Sequence, residues 1–166
     1  MMEEESRNSQ AYKAQLERAR RWCAAEERCE SGVREKLAAW GAGSGDADGI
    51  VASLTEEGYL DDGRYARAYC ESKVLRQHWG RQKVCYQLRL KRLPREAIEA
   101  GMAAVDDERY MEMLREVAER KWHEESGKRG GESDEWEVKR RVMSFLSSRG
   151  FTMSEINETI TNITRQ

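Results

Sequence analysis

The stretch VREKLAAWG, residues 33–41, returns as VCYQLRLKR at 84–92 and as VMSFLSSRG at 142–150. Each sets two apolar residues four apart: Val33 and Leu37, Val84 and Leu88, Val142 and Leu146. Four positions later come Gly41, Arg92 and Gly150. A four-residue spacing puts a pair on one face of a helix. A second such pair follows each time: Ile50 and Leu54, Ile98 and Met102, Ile156 and Ile160. The second and third copies keep one register, and the first carries three extra residues in its glycine-rich turn. A single pair of short helices cannot bury its apolar stripe, so tandem copies must pack on their neighbours. The pattern predicts an all-α fold of tandem helical repeats in an elongated array, with function on an extended face and not in one pocket.

Working backwards from each copy adds a third helix. Asp62-Gly63-Arg64-Tyr65 before the second copy matches Asp107-Glu108-Arg109-Tyr110 before the third. Asp62 and Asp107 suit the capping of unpaired helical amides. Tyr65 and Tyr69 then share a face, as do Tyr110, Leu114 and Val117. The first copy has Leu16, Ala19, Trp22 and Cys23 between Ala11 and Ala25. Nine helices in three groups are expected: an acidic tail at 1–9, then three-helix repeats at 10–57, 58–105 and 106–166. GAGSGDADG, residues 41–49, reads as a loop too rich in glycine for a helix. It is a poor phosphate cradle, because no Lys-Ser or Lys-Thr pair follows it. ESGKRGGESD, residues 125–134, reads as a flexible tether.

Composition narrows the function. Charged residues make up 36% of the 166 and apolar residues 39%, with a single proline, which suits exposed helices with narrow apolar seams. Cys23, Cys29, Cys70 and Cys85 form no CxxC pair, and His78 and His123 stand alone, so no metal site or cofactor is expected. Reduced thiols in a cytoplasmic protein are the expectation. The start, MMEEESRNSQ, has no apolar run to serve as a signal or anchor, and no membrane contact is expected. Asp61 and Asp62 are adjacent carboxylates, but the helix that follows them, and the matching Asp106-Asp107, favour capping over acid–base or magnesium chemistry. No nucleophile–base arrangement is readable, so no enzyme is expected.

Net charge is only −2, yet Lys73 to Arg95 contains no Asp or Glu and eight cations: Lys73, Arg76, Arg81, Lys83, Arg89, Lys91, Arg92 and Arg95. Such a run is ordinarily a solvated face, but its length singles it out in a chain that elsewhere mixes signs. Lys139, Arg140, Arg141 and Arg149 give the third copy a similar surface. Trp79 is either a packing residue or, beside Arg76, Arg81 and Lys83, an interface anchor, since Trp and Arg dominate many binding surfaces. The candidate partner-binding set is Arg76, Trp79, Arg81, Lys83, Arg89, Lys91, Arg92, Lys139, Arg140 and Arg149.

The stretch EGYLDDGRYARAYCESKVLRQHWGRQK, residues 57–83, carries a resemblance. Gly58-Tyr59-Leu60-Asp61-Asp62, then Arg64-Tyr65-Ala66-Arg67-Ala68-Tyr69, then Trp79-Gly80-Arg81 resemble the motifs of the RecX regulatory proteins. Gln87-Leu88-Arg89-Leu90-Lys91 and Phe145-Leu146-Ser147-Ser148-Arg149-Gly150-Phe151 are similar as well, over roughly residues 10–164. Arg92 departs from the pattern by replacing a glycine at a helix end, where glycine commonly supplies the left-handed cap. The resemblance implies three three-helix repeats in a curved rod that lies in the groove of the RecA–DNA filament. It further implies inhibition of ATP hydrolysis and strand exchange, in recombination, DNA repair and the SOS response. A monomer is expected, with RecA and its DNA filament as partners and at most weak, non-specific DNA contact. The alternative is a stand-alone helical module that grips DNA phosphates through the second and third repeats.

Overall fold

The computed structural model describes Met2, Glu5 and residues 9–128 and 134–165. Among these residues there are nine α-helices: α1 (Gln10–Ala25), α2 (Glu30–Ala39), α3 (Ser44–Glu56), α4 (Asp62–Glu71), α5 (Arg81–Leu90), α6 (Arg95–Met102), α7 (Asp107–Gly127), α8 (Glu135–Ser148) and α9 (Met153–Thr164). A π-helical turn, Ser72–Arg76, extends α4. No strand occurs among the described residues, and the architecture is an all-α repeat fold.

The threefold pattern has a threefold structural meaning. Val33, Leu37, Val84, Leu88, Val142 and Leu146 are all fully buried. Burying each such side chain contributes about 1.5–3 kcal/mol. The residue four beyond each pair is left-handed: φ is +84° at Gly41, +60° at Arg92 and +94° at Gly150. Gly41, Arg92 and Gly150 donate their N–H to Ala38, Arg89 and Ser147, while Ala42, Leu93 and Phe151 donate to Leu37, Leu88 and Leu146. These paired bonds satisfy the last carbonyls of α2, α5 and α8 in the same way. Arg92 therefore keeps the helix end that its departure from glycine put in question, at the steric cost of a side chain in the left-handed region.

By packing, the chain divides into two units, Met1–Ala68 with Leu88–Ala100, and Tyr69–Gln87 with Gly101–Gln166. The first unit is built on Tyr12, Ala19, Cys23, Val33, Leu37, Ile50, Val51, Leu54 and Leu60. Ser9, a described residue of the expected tail, caps α1 by accepting the Tyr12 N–H at 3.1 Å. The other tail residues, apart from Met2 and Glu5, lie outside the described residues. Most of the expected loop at 41–49 is helical, because α3 begins at Ser44. Tyr12 lies so close to Gly49 that an added Cβ would stand 2.8 Å from its hydroxyl. Ala47, Ile50, Val51 and Leu54 are buried on the same helix. Packing outweighs the poor propensity of glycine there.

In the second unit α7, α8 and α9 pack on one another through Tyr110, Leu114, Val117, Val142, Leu146, Ile156 and Ile160. Helix α9 opens with a capping box between Thr152 and Glu155. Helix α7 runs through Gly127, so Glu125 to Gly127 are helical and not part of a tether. Glu125 is buried and paired with Lys121 at 3.1 Å, Lys128 at 3.0 Å and Arg141 of α8 at 3.3 Å. Residues 129–133 of the expected tether lie outside the described residues.

Candidate functional site

The aspartate pairs act as caps, one residue earlier than expected. Asp61 and Asp106 accept the N–H groups of Arg64 at 3.0 Å and Arg109 at 2.8 Å. Those bonds hold the Asp61 carboxyl below the usual carboxylate range. Asp62 instead accepts the Glu30 N–H at 2.9 Å, at the start of α2, and burial pushes its carboxyl up. Asp107 pairs with Arg81.

Between α4 and α5 the chain makes an uncommon turn. After the π-helical segment, His78 is left-handed with φ +57°, and the Trp79 N–H closes onto the Lys73 carbonyl at 2.9 Å. Trp79 is half-buried, and the ammonium groups of Lys73 and Lys83 lie 4.8 Å and 4.2 Å from its ring centre. Lys73 also lies 5.4 Å from the Tyr69 ring. Each cation–aromatic contact at an exposed site contributes about 0.5–1 kcal/mol.

The next two residues are structural. Gly80 donates its N–H to Arg149 O at 2.8 Å, and Gln82 donates to Gly150 O at 3.1 Å, so the turn after α8 satisfies the first amides of α5. The Arg81 guanidinium bonds Asp107 and Val105 O, both at 2.8 Å, and lies 4.1 Å from the Tyr110 ring centre. Its backbone N–H donates to Tyr110 Oη at 3.1 Å, and Tyr110 Oη donates to Glu155 at 2.9 Å. Burial pushes the Tyr110 phenol well above its ordinary pKa. Arg81, expected on the binding face, is engaged within the second unit, because its hydrogen-bonding partners lie more than twenty positions away in the chain.

The other candidate cations fall in both units. In the second, Arg76 is exposed and Lys83 half-buried, and Lys139 and Arg140 are exposed on α8. Arg140 lies 5.8 Å from the ring of Trp136, and Arg149 lies 5.3 Å from that of Phe145. In the first unit Arg89 and Arg92 are exposed, and Lys91 is half-buried, its carbonyl accepting the Ser31 hydroxyl at 2.5 Å. Arg76, Lys83, Arg89, Lys91 and Arg92 make no ion pair with a carboxylate among the described residues. Lys73, Trp136, Tyr86 and Leu90 are absent from the expected set. Tyr86 and Leu90 stand two positions after Val84 and Leu88, off the apolar stripe, and that offset is readable in the sequence.

Among the described residues no group of three or more His, Cys, Asp or Glu is placed to hold a metal ion. No helix among them is long and apolar enough to cross a membrane. Cys23, Cys29 and Cys70 are buried free thiols, and burial pushes Cys70 up to about 12, far from a reactive thiolate.

Comparison with known proteins gives one family. The family models for the second and third three-helix domains of RecX match residues 61–102 and 107–160. The regulatory protein RecX of Pectobacterium atrosepticum is 32% identical over 147 residues, covering 86% of this chain and 85% of that protein. The Escherichia coli protein of the same name is 30% identical over 167 residues, covering 95% and 96%. RecX of Clostridium acetobutylicum is 30% identical over 116 residues, and the match spans 52% of its length. For the Clostridium tetani protein the corresponding share is 60%. Among solved structures, RecX from Lactobacillus salivarius has a TM-score of 0.83 at 16% identity, covering 94% of this chain and 98% of that one, a likeness of fold.

Proposed function

The chain belongs to the RecX family of regulatory proteins, and on that premise we propose that it binds the filament of a RecA-type recombinase on DNA and lowers its ATP hydrolysis and strand exchange. The observation that carries this reading is the match of the second family domain across the segment that holds Trp79, Gly80 and Arg81, with the third domain matching the residues that follow. The cations of the acid-free segment supply the means. Arg76, Lys83, Arg89, Lys91 and Arg92, which make no ion pair with a carboxylate among the described residues, favour encounter with an anionic assembly and make association salt-dependent. A chain of helical repeats that touches successive recombinase subunits gains effective concentration at each further contact, so strong occupancy needs no pocket. An occupied groove excludes the second DNA duplex, and strand exchange falls.

The test is binding at matched salt to naked single-stranded DNA, to DNA-free recombinase and to the assembled filament. The proposal expects the filament to be preferred by at least tenfold over naked DNA. Equal affinity for naked and coated DNA would instead favour a simple phosphate-binding module.

A further inference from the structure

Helix α5 shows two opposite faces. Val84 and Leu88 are fully buried on one side. Tyr86 and Leu90 follow two positions after each, roughly 200° around a helix of about 3.6 residues per turn, and both are 59% exposed. Lys83 precedes Tyr86 by three positions and Arg89 precedes Leu90 by one, so the outward apolar pair is flanked by cations. No Asp or Glu occurs between Lys73 and Arg95. An exposed aromatic and an exposed leucine one turn apart give α5 an outward apolar pair beside its cations.

We propose that this outward strip of α5, Tyr86 and Leu90 with Lys83 and Arg89, docks an acidic protein segment that bears an apolar side chain, and not the phosphates of DNA. The inference rests on the reading of the chain as a recombinase-filament regulator and specifies the chemistry met on one helix. The flanking charge requires an anionic occupant. Phosphate contacts are made by cations and N–H donors, and a leucine side chain adds nothing to them. A tyrosine alone would suit base stacking. The leucine beside it favours a protein surface, where aromatic anchors and Arg recur together.

The double variant Tyr86→Ser/Leu90→Ser leaves Val84 and Leu88 in place and is expected to fold with unchanged helical circular dichroism. Two probes are used at matched salt, a RecA–DNA filament and oligothymidylate alone. The strip predicts that filament binding weakens at least tenfold, while binding to oligothymidylate stays within twofold of the parent chain. A photocrosslinking residue at position 86 is expected to capture protein. Filament binding by the double variant within twofold of the parent, a parallel fall on oligothymidylate, or capture of DNA at position 86 would overturn the strip and leave the functional reading standing. A parent chain that fails to bind the filament would overturn both.

Discussion

Gly80 and Gly150 meet backbone to backbone: a Cβ on Gly80 would stand 2.2 Å from the Gly150 carbonyl carbon and oxygen, and one on Gly150 would stand 2.2 Å from Lys83 Cβ. The same contact carries the hydrogen bonds from Gly80 N to Arg149 O and from Gln82 N to Gly150 O. The glycine of the Trp-Gly-Arg motif thus joins the start of α5 to the end of α8.

Gly80→Ala should destabilise the protein by about 3 kcal/mol or more, since the clash is with backbone that cannot move aside without breaking both hydrogen bonds. Gly45→Ala, with nothing within 4 Å of the new methyl group, is the control. It should be neutral or gain up to about 1 kcal/mol from helix propensity. Urea unfolding of the three proteins checks the pair.

Arg92 offers the opposite case. Its left-handed conformation costs a non-glycine residue about 1–2 kcal/mol. Glycine would relieve that and lose about 0.4–1 kcal/mol through the freer unfolded chain. Arg92→Gly should therefore raise stability by roughly 0.5–1 kcal/mol. Thermal unfolding at neutral pH would show the gain, and a lower Tm would contradict it.

Tyr110→Phe removes the hydroxyl between the Arg81 N–H and Glu155. Leaving the partly buried Arg81 N–H unpaired, with Glu155 keeping its bond from the Thr152 N–H, should cost about 1–3 kcal/mol. Arg81→Ala should also lose stability, through its bonds to Asp107 and Val105 and its position over the Tyr110 ring. Any loss of regulatory activity in an Arg81 variant must therefore be judged against unfolding, whereas Arg76 and Arg89 variants should keep the parent stability.

Glu125 sets a pH dependence. Hydrogen bonds from Lys128, then Lys121 and Arg141, hold its carboxyl down to about 2 against an ordinary 4.5. A depressed folded pKa favours folding above the unfolded value, and the benefit is lost as pH falls through the folded value. Stability should decline between about pH 4.5 and 2, and Glu125→Gln should lessen the decline. Tm measured from pH 7 to 2.5 checks it, and an identical decline in the variant would contradict the assignment.

The parts of the fold that rest on local periodicity were legible. Val33, Leu37, Val84, Leu88, Val142 and Leu146 announce three buried faces by spacing alone, and the residue four beyond each pair marks the helix end even where it is Arg92. The parts that rest on distant contacts were not. Nothing near Gly49 announces Tyr12, whose packing accompanies a helix through a glycine-rich segment. Arg81 reads as one cation among eight until Val105, Asp107 and Tyr110 are brought to it. Glu125 reads as the start of a linker because its partner Arg141 lies on the following helix. Within the candidate surface, charge was visible in sequence, and so was the offset of Tyr86 and Leu90 from the Val84–Leu88 stripe, whereas their exposure was shown by the structure.

Restraint of a recombinase filament is the property on which the proposed function stands. Its most direct measurement is the rate of ATP hydrolysis by a RecA-type recombinase on single-stranded DNA, followed as the chain is added to saturation at fixed salt. A saturable fall in rate is expected, with strand exchange falling in parallel. A rate unchanged at saturation, with the chain folded and helical, would contradict it.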